Sequence, residues 1–211
     1  VLVTAGPTYE AMDPVRGITN LSSGKMGFSI ARAAREAGAQ VTLVAGPVHL
    51  LTPRGVQRVD VRSALEMQAA VAAHVGHASV FVATAAVADW RVADVSGEKI
   101  KKDGSGQLPQ LSFVENPDIL AGVAHSARAQ SGALYCVGFA AESHDLVKYA
   151  TAKRERKGVP LLVGNIGPAT FGLDDNALVL IDAHGTQALP HASKLTLARQ
   201  LVAEIARRRQ S

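Results

Sequence analysis

The chain has 211 residues, a formal net charge of +4 and a hydrophobic content of 47%. That length can bury a sizeable core, and that composition excludes a disordered chain. The modest positive charge suits a small anionic ligand and falls short of a nucleic-acid-binding stripe. The one cysteine, Cys136, excludes an intrachain disulfide framework and fits a reducing cytoplasm. It lies inside the apolar run Ala133–Ala141 and reads as a buried structural thiol. No apolar stretch reaches membrane-spanning length and no signal peptide is visible. The chain starts abruptly on a core-type strand, as expected of a piece of a longer polypeptide.

In chain order, short apolar runs alternate with helical spacing. Val1–Ala5, Gln40–Ala45, Gln57–Val61, Ser79–Val82, Leu134–Phe139 and Leu161–Gly164 read as strands buried on both faces. Gly27–Ala37, Ala64–His74, Asp118–Gln130 and Asp145–Lys157 carry the helical pattern, and Gly38 is placed to end the first helix. Ala177–Asp182 and Gln187–Leu189 flank His184-Gly185 as a hairpin, and Leu195–Arg209 closes the chain as a helix. This order predicts an α/β fold: a doubly wound, mostly parallel Rossmann-like sheet with a small C-terminal β-hairpin extension, about residues 170–191, and a closing helix. Residues 1–211 are expected to form one domain. Residues 91–110, rich in Gly, Lys, Asp and Ser, break the rhythm and are expected to form a mobile active-site loop.

The chemistry concentrates in Asn20-Leu-Ser-Ser-Gly-Lys-Met-Gly27, which follows the first strand and a long polar connection. Hydroxyls, glycines and a lysine at a helix start suit an anion, because the first amides of a helix lack internal partners and the macrodipole adds positive charge there. The plain alternative is that Ser22 or Ser23 simply caps the helix. Two nucleotide signatures fail. A P-loop would need Gly at Thr19 and Ser or Thr at Met26. A dinucleotide fingerprint would turn tightly after the first strand and close the second with an acid, where this chain has Ala45-Gly46. His74 and His77 share a helix face but lack an acidic or cysteine partner for a metal. Arg207–Arg209 complements the dipole of the last helix.

Thr4-Ala-Gly-Pro-Thr8, Asp13-Pro-Val-Arg16, Asn20–Gly27, Ala85-Ala-Val-Ala-Asp89, Glu98-Lys-Ile-Lys-Lys102, Asn116-Pro-Asp118, Gly138-Phe-Ala-Ala-Glu142 and Asn176-Ala177 stand in one order along nearly the whole chain. In this the chain resembles the phosphopantothenoylcysteine synthetase (phosphopantothenate–cysteine ligase) domains of bacterial bifunctional coenzyme A biosynthesis proteins. Trp90 stands where such domains often carry Tyr or Phe. The resemblance implies a cytoplasmic, homodimeric enzyme joining 4'-phosphopantothenate to L-cysteine with CTP and magnesium, through an acyl-cytidylate. It further implies a covalently linked decarboxylase domain holding FMN, and no nucleic acid or membrane partner.

Site roles carry over by position. The resemblance implies that Lys99 serves cytidylate formation, as a lid closing a cation over the reacting phosphates, and that Asn20 binds phosphopantothenate and serves the second step. For the nucleotide it implies Ser22, Ser23, Gly24, Ala83, Thr84, Ala85, Asp89, Pro117, Asp118, Ile119, Leu120, Phe139, Lys153 and Lys157. Asp89 is left between the metal and the ribose. Arg16 and Ala86 are implied phosphopantothenate contacts, from this subunit or its neighbour. A dinucleotide-dependent oxidoreductase and a non-catalytic nucleotide sensor are the alternatives from other classes; the first lacks its fingerprint and the second needs no cationic loop.

Overall fold

The structure, a computed structural model, describes residues 1–101, 109–142, 144–166 and 172–210. The strands are β1 (Leu2–Ala5), β2 (Glu10–Ala11), β3 (Gly17–Ile18), β4 (Thr42–Ala45), β5 (Gln57–Asp60), β6 (Val80–Ala83), β7 (Trp90–Val92), β8 (Phe113–Glu115), β9 (Tyr135–Glu142), β10 (Leu161–Ile166), β11 (Asp175–Asp182) and β12 (Gly185–Ser193). The helices are α1 (Lys25–Glu36), α2 (Ala64–Val75), α3 (Ile119–Ala124), α4 (Ala127–Gln130), α5 (Leu146–Lys157) and α6 (Lys194–Gln210).

Eight strands form one sheet in the order β12-β11-β10-β9-β6-β1-β4-β5. The six from β10 to β5 are parallel, with Val3 level with Leu43 on one side and Val82 on the other. The apolar runs are continuous because both faces are buried. Val3, Leu43, Val82, Val137 and Val163 face the layer of α1 and α6, while Leu2, Val44, Phe81, Cys136 and Leu162 face the opposite layer. Each fully buried side chain of this size contributes roughly 1.5–3 kcal/mol. Burial pushes the Cys136 thiol up to about 11, as its place in the core requires.

The expected doubly wound fold is present, with local differences. The hairpin is no appendage: β11 and β12, of eight and nine residues, extend the main sheet antiparallel along β10. The single helix expected over 118–130 divides into α3 and α4, because Ser126 turns extended and its hydroxyl caps Ala129 N–H at 3.4 Å. Part of the expected 91–110 loop is strand, since β7 pairs antiparallel with β8; its centre, 102–108, including Lys102, lies outside the described residues. The first helix begins at Lys25 instead of Gly27. Gly24, in the left-handed region at φ 73°, turns the chain into it, and neither Ser22 nor Ser23 caps it. Gly38 ends it at φ 91°, as its position predicts.

Glu36 on α1 ties the two helices of one layer, accepting from Arg199 Nε and Arg32 Nε at 2.8 Å each. Those two hydrogen bonds, Arg199 first, lower its carboxyl from 4.5 to about 2. A carboxylate with a depressed folded value stabilises above its unfolded value and loses that contribution as pH falls through the folded one. Glu36→Gln should therefore melt below the parent at neutral pH. The gap should close as pH drops from about 4.5 to about 2, as thermal melts across that range would read.

Candidate active site

The strand order reverses between β1 and β6, so the connections leaving their carboxyl ends diverge to opposite faces and open a crevice. The segment after β6 is fixed there residue by residue. Thr84 and Ala86 donate their amides to Thr4 O at 3.2 Å and Gly6 O at 2.9 Å. Thr4 Oγ1 accepts from Ala85 N–H at 3.3 Å, and Thr8 Oγ1 from Ala88 N–H at 3.0 Å. From the other side Asn116 donates Nδ2 to Ala88 O and its amide to Asp89 O, both at 2.8 Å. Small residues are required where α1 meets this seam. A Cβ on Gly27 would lie 2.4 Å from Thr84 Oγ1 and 2.5 Å from Ala5 Cβ.

The crevice is a cavity of about 670 Å³. Its wall gathers Ser22, Ser23, Gly24, Ala83, Thr84, Ala85, Ala86, Asp89, Pro117, Asp118, Ile119, Leu120, Phe139, Lys153 and Lys157 from the sequence-based set. Three others do not line it. Asn20 donates Nδ2 to Ala86 O at 2.6 Å and accepts from Ser22 N–H at 3.1 Å, so it staples two wall segments from behind. Arg16 bonds the Asp13 carboxylate and Ile100 O, and Lys99 is exposed.

Lys25, at the first turn of α1, and Lys194, at the first turn of α6, also line the cavity, with Asn165 and Asn176. Lys25 Nζ donates to Asp174 Oδ1 and Gly172 O at 2.7 Å each, and Lys194 Nζ donates to Leu173 O at 2.5 Å. Burial, then the neighbouring Lys25 charge, lowers the Lys194 ammonium below its ordinary value. Sequence reasoning missed Asn165 and Lys194. Two antiparallel turns bring the end of β12 back to the carboxyl ends of the parallel strands, and no local pattern signals that return. Asn165, directly after an apolar strand run, had a usable signal.

At the far rim the Asp118 carboxylate receives Lys157 Nζ and also caps α3, accepting from Ala121 N–H at 3.0 Å. Burial alone would raise its carboxyl; the Lys157 and Ala121 hydrogen bonds outweigh it and the net shift is downward. Among the described residues no group of three His, Cys, Asp or Glu side chains could hold a metal ion. The cavity thus presents a rim of cations, uncapped helix amides and few carboxylates, a surface for a polyanion.

A family model described as DNA/pantothenate metabolism flavoprotein C-terminal domain matches residues 1–208. The chain belongs to this family. The coenzyme A biosynthesis bifunctional protein CoaBC of Escherichia coli is 49% identical over 212 residues, covering 99% of this chain and 52% of that protein. The Vibrio cholerae protein of the same name is 49% identical over 201 residues, covering 94% and 50%. The chain therefore spans about half the length of the curated relatives it matches. The crystal structure of the C-terminal domain of a CoaBC protein is 35% identical with a TM-score of 0.81, covering 97% of this chain and 92% of that one.

In this family member the Asp118–Lys157 pair has separable roles. Asparagine caps a helix as well as aspartate does. Asp118→Asn should therefore keep its melting temperature within a few degrees, since a cap-neutral change is worth under about 0.5 kcal/mol. The freed Lys157 should tighten binding of a polyanion such as pyrophosphate, read by calorimetry; a large loss of stability would contradict the division of roles.

Proposed function

We propose that this chain is the phosphopantothenate–cysteine ligase part of a bifunctional coenzyme A biosynthesis protein. It joins 4'-phosphopantothenate to L-cysteine at the expense of CTP. The observation that carries the reading is the meeting, at one strand-order reversal, of the Ser22–Gly27 turn, the 83–89 seam, the 117–120 helix start and two helical lysines. Family membership supports the same reading.

In the first step a carboxylate oxygen of phosphopantothenate forms a bond to the α-phosphorus of CTP. The α–β bridging bond breaks and pyrophosphate leaves. Anion approaches anion here, so the uncapped amides of Lys25–Gly27 and the Lys25, Lys153 and Lys157 ammonium groups lower the cost by meeting the phosphates. Lys99 closes over the phosphates as the cationic lid. Ser22, Ser23 and Gly24 bring the backbone close to them. Backbone groups of Ala83–Ala85 and of Pro117, Asp118, Ile119 and Leu120 read the cytosine, and Phe139 packs against the nucleoside. Magnesium fits this wall as an ion carried in by the triphosphate, since such ions take one or two carboxylates and complete their shell with phosphate and water; Asp89 would hold it. Bound there it would neutralise charge on the phosphates.

In the second step the cysteine amine forms the amide bond, the acyl–phosphate C–O bond breaks, CMP leaves and the amine proton is released. Asn20 acts through the Ala86 carbonyl and the Ser22 amide that it holds, and Ala86 faces the pantothenate side. Residues 1–211 work as one ligase domain, linked in the longer protein to an FMN-dependent decarboxylase, in the cytoplasm. No described helix is long and apolar enough to cross a membrane. The exposed large apolar side chains Val15, next to Arg16, and Trp90, Val95 and Phe113 support a homodimer.

CTP, phosphopantothenate and cysteine should give pyrophosphate continuously, and omission of cysteine should limit release to about one equivalent per site. Lys99→Gln should lower that first burst by roughly a hundredfold or more while the fold is kept. Full activity in this variant, read by pyrophosphate release, would remove Lys99 from the reaction.

A further inference from the structure

Asp13 is fully buried, yet it lies in a short turn between the two smallest strands, far from the sheet core. Its Oδ1 accepts the amides of Val15 and Arg16 at 2.8 and 2.7 Å. Its Oδ2 accepts Arg16 Nε at 3.0 Å, Arg16 Nη2 at 2.6 Å and the amide of Ile100 at 3.1 Å. Arg16 Nη2 in turn donates to Ile100 O at 2.7 Å. Both backbone groups of Ile100, the neighbour of Lys99, are therefore held by one ion pair 84 or more positions away in the chain. Four residues earlier Ser96 donates its amide to Met12 O at 3.0 Å, so the 12–16 turn grips the 96–100 stretch at both ends. The Ser96 hydroxyl closes the stretch between the grips, donating to Glu98 O at 2.6 Å.

The same turn is joined to the cavity wall. β3 leads from it through Thr19, whose hydroxyl donates to Thr8 O at 2.8 Å, to Asn20 on the Ala86 carbonyl. A hydrogen-bonded path thus runs from the wall to the backbone of Ile100, next to Lys99, whose side chain is exposed. We propose that Asp13 is a positioning residue for the Lys99 segment, and that Arg16 serves the reaction through this clip by fixing where the Lys99 ammonium can reach. The proposal rests on the assignment of Lys99 to cytidylate formation. The Arg16 hydrogen bonds hold the Asp13 carboxyl well below the usual carboxylate range, so the carboxylate that the clip needs is charged at neutral pH. An asparagine at 13 would turn a donor toward Arg16 or Ile100 and could accept only on its remaining oxygen.

The test compares the parent with Asp13→Asn, Asp13→Glu and Arg16→Met. CTP affinity is read by calorimetry. Asp13→Asn should lower kcat for cytidylate formation by roughly a hundredfold, the scale of a misplaced group, with the CTP dissociation constant and KM within about threefold. Amide hydrogen exchange at Ile100 should quicken by roughly tenfold or more, without change in β1 or β6. Asp13→Glu should recover part of both losses. Should Asp13→Asn fail to fold, Arg16→Met, which keeps the carboxylate but frees the Ile100 carbonyl, must show the same local exchange change. Unchanged exchange at Ile100 in the folded variants, or a loss confined to KM for CTP, would overturn the proposal. A parent protein making no cytidylate would instead overturn the functional reading, and the exchange rates would still decide the clip.

Discussion

The reversal of strand order between β1 and β6 is the constraint on which the rest of the molecule depends. It leaves a crevice that the sheet itself cannot close, lined by backbone whose hydrogen-bonding groups would otherwise be unpaired. The threonine hydroxyls at positions 4 and 8 and the asparagine side chains at 20 and 116 satisfy those groups. Because the polar side chains are consumed in holding the wall, the wall offers a ligand small residues and backbone. That is why alanines and glycines crowd it. Gly46 shows how close the strands' exits approach, since a Cβ there would fall 1.7 Å from Pro7 O.

Onto this wall the fold brings positive charge from three helices. α1 supplies unpaired amides and Lys25, α5 supplies Lys153 and Lys157, and α6 supplies Lys194. Several of these cations hold protein acceptors: Asp118 for Lys157, Asp174 and Gly172 O for Lys25, and Leu173 O for Lys194. A phosphate must displace such partners, and exchange of one oxygen acceptor for another costs far less than stripping a cation of all contact. The arrangement gives the half-buried Lys25 and Lys157 and the buried Lys194 acceptors that a phosphate can replace.

Much of this was legible in the sequence, for physical reasons. Strands buried on both faces give unbroken apolar runs, so β1, β4, β6, β9 and β10 stand out. Gly24 and Gly38 mark the two ends of α1, although the serines before it misdirect the start, since a left-handed glycine does the turning that a cap would do. The two-residue strands β2 and β3 and the three-residue β7 and β8 are too short to carry any period. The break between α3 and α4 depends on one capping serine inside a run of good helix formers. Position in the sheet, which only the three-dimensional order reveals, brings Lys194 to the cavity. The same order leaves Arg16, Asn20 and Lys99 outside its wall. Resemblance names these three residues. Geometry shows two of them holding backbone, and the third beside a residue that the Asp13–Arg16 pair secures.

A crystal structure with CTP and magnesium bound tests the central claim most directly. The account predicts the triphosphate against the amides of Lys25–Gly27 and the base between the 83–85 seam and the start of α3. A nucleotide seated in any other crevice, with the β1–β6 reversal empty, would contradict it.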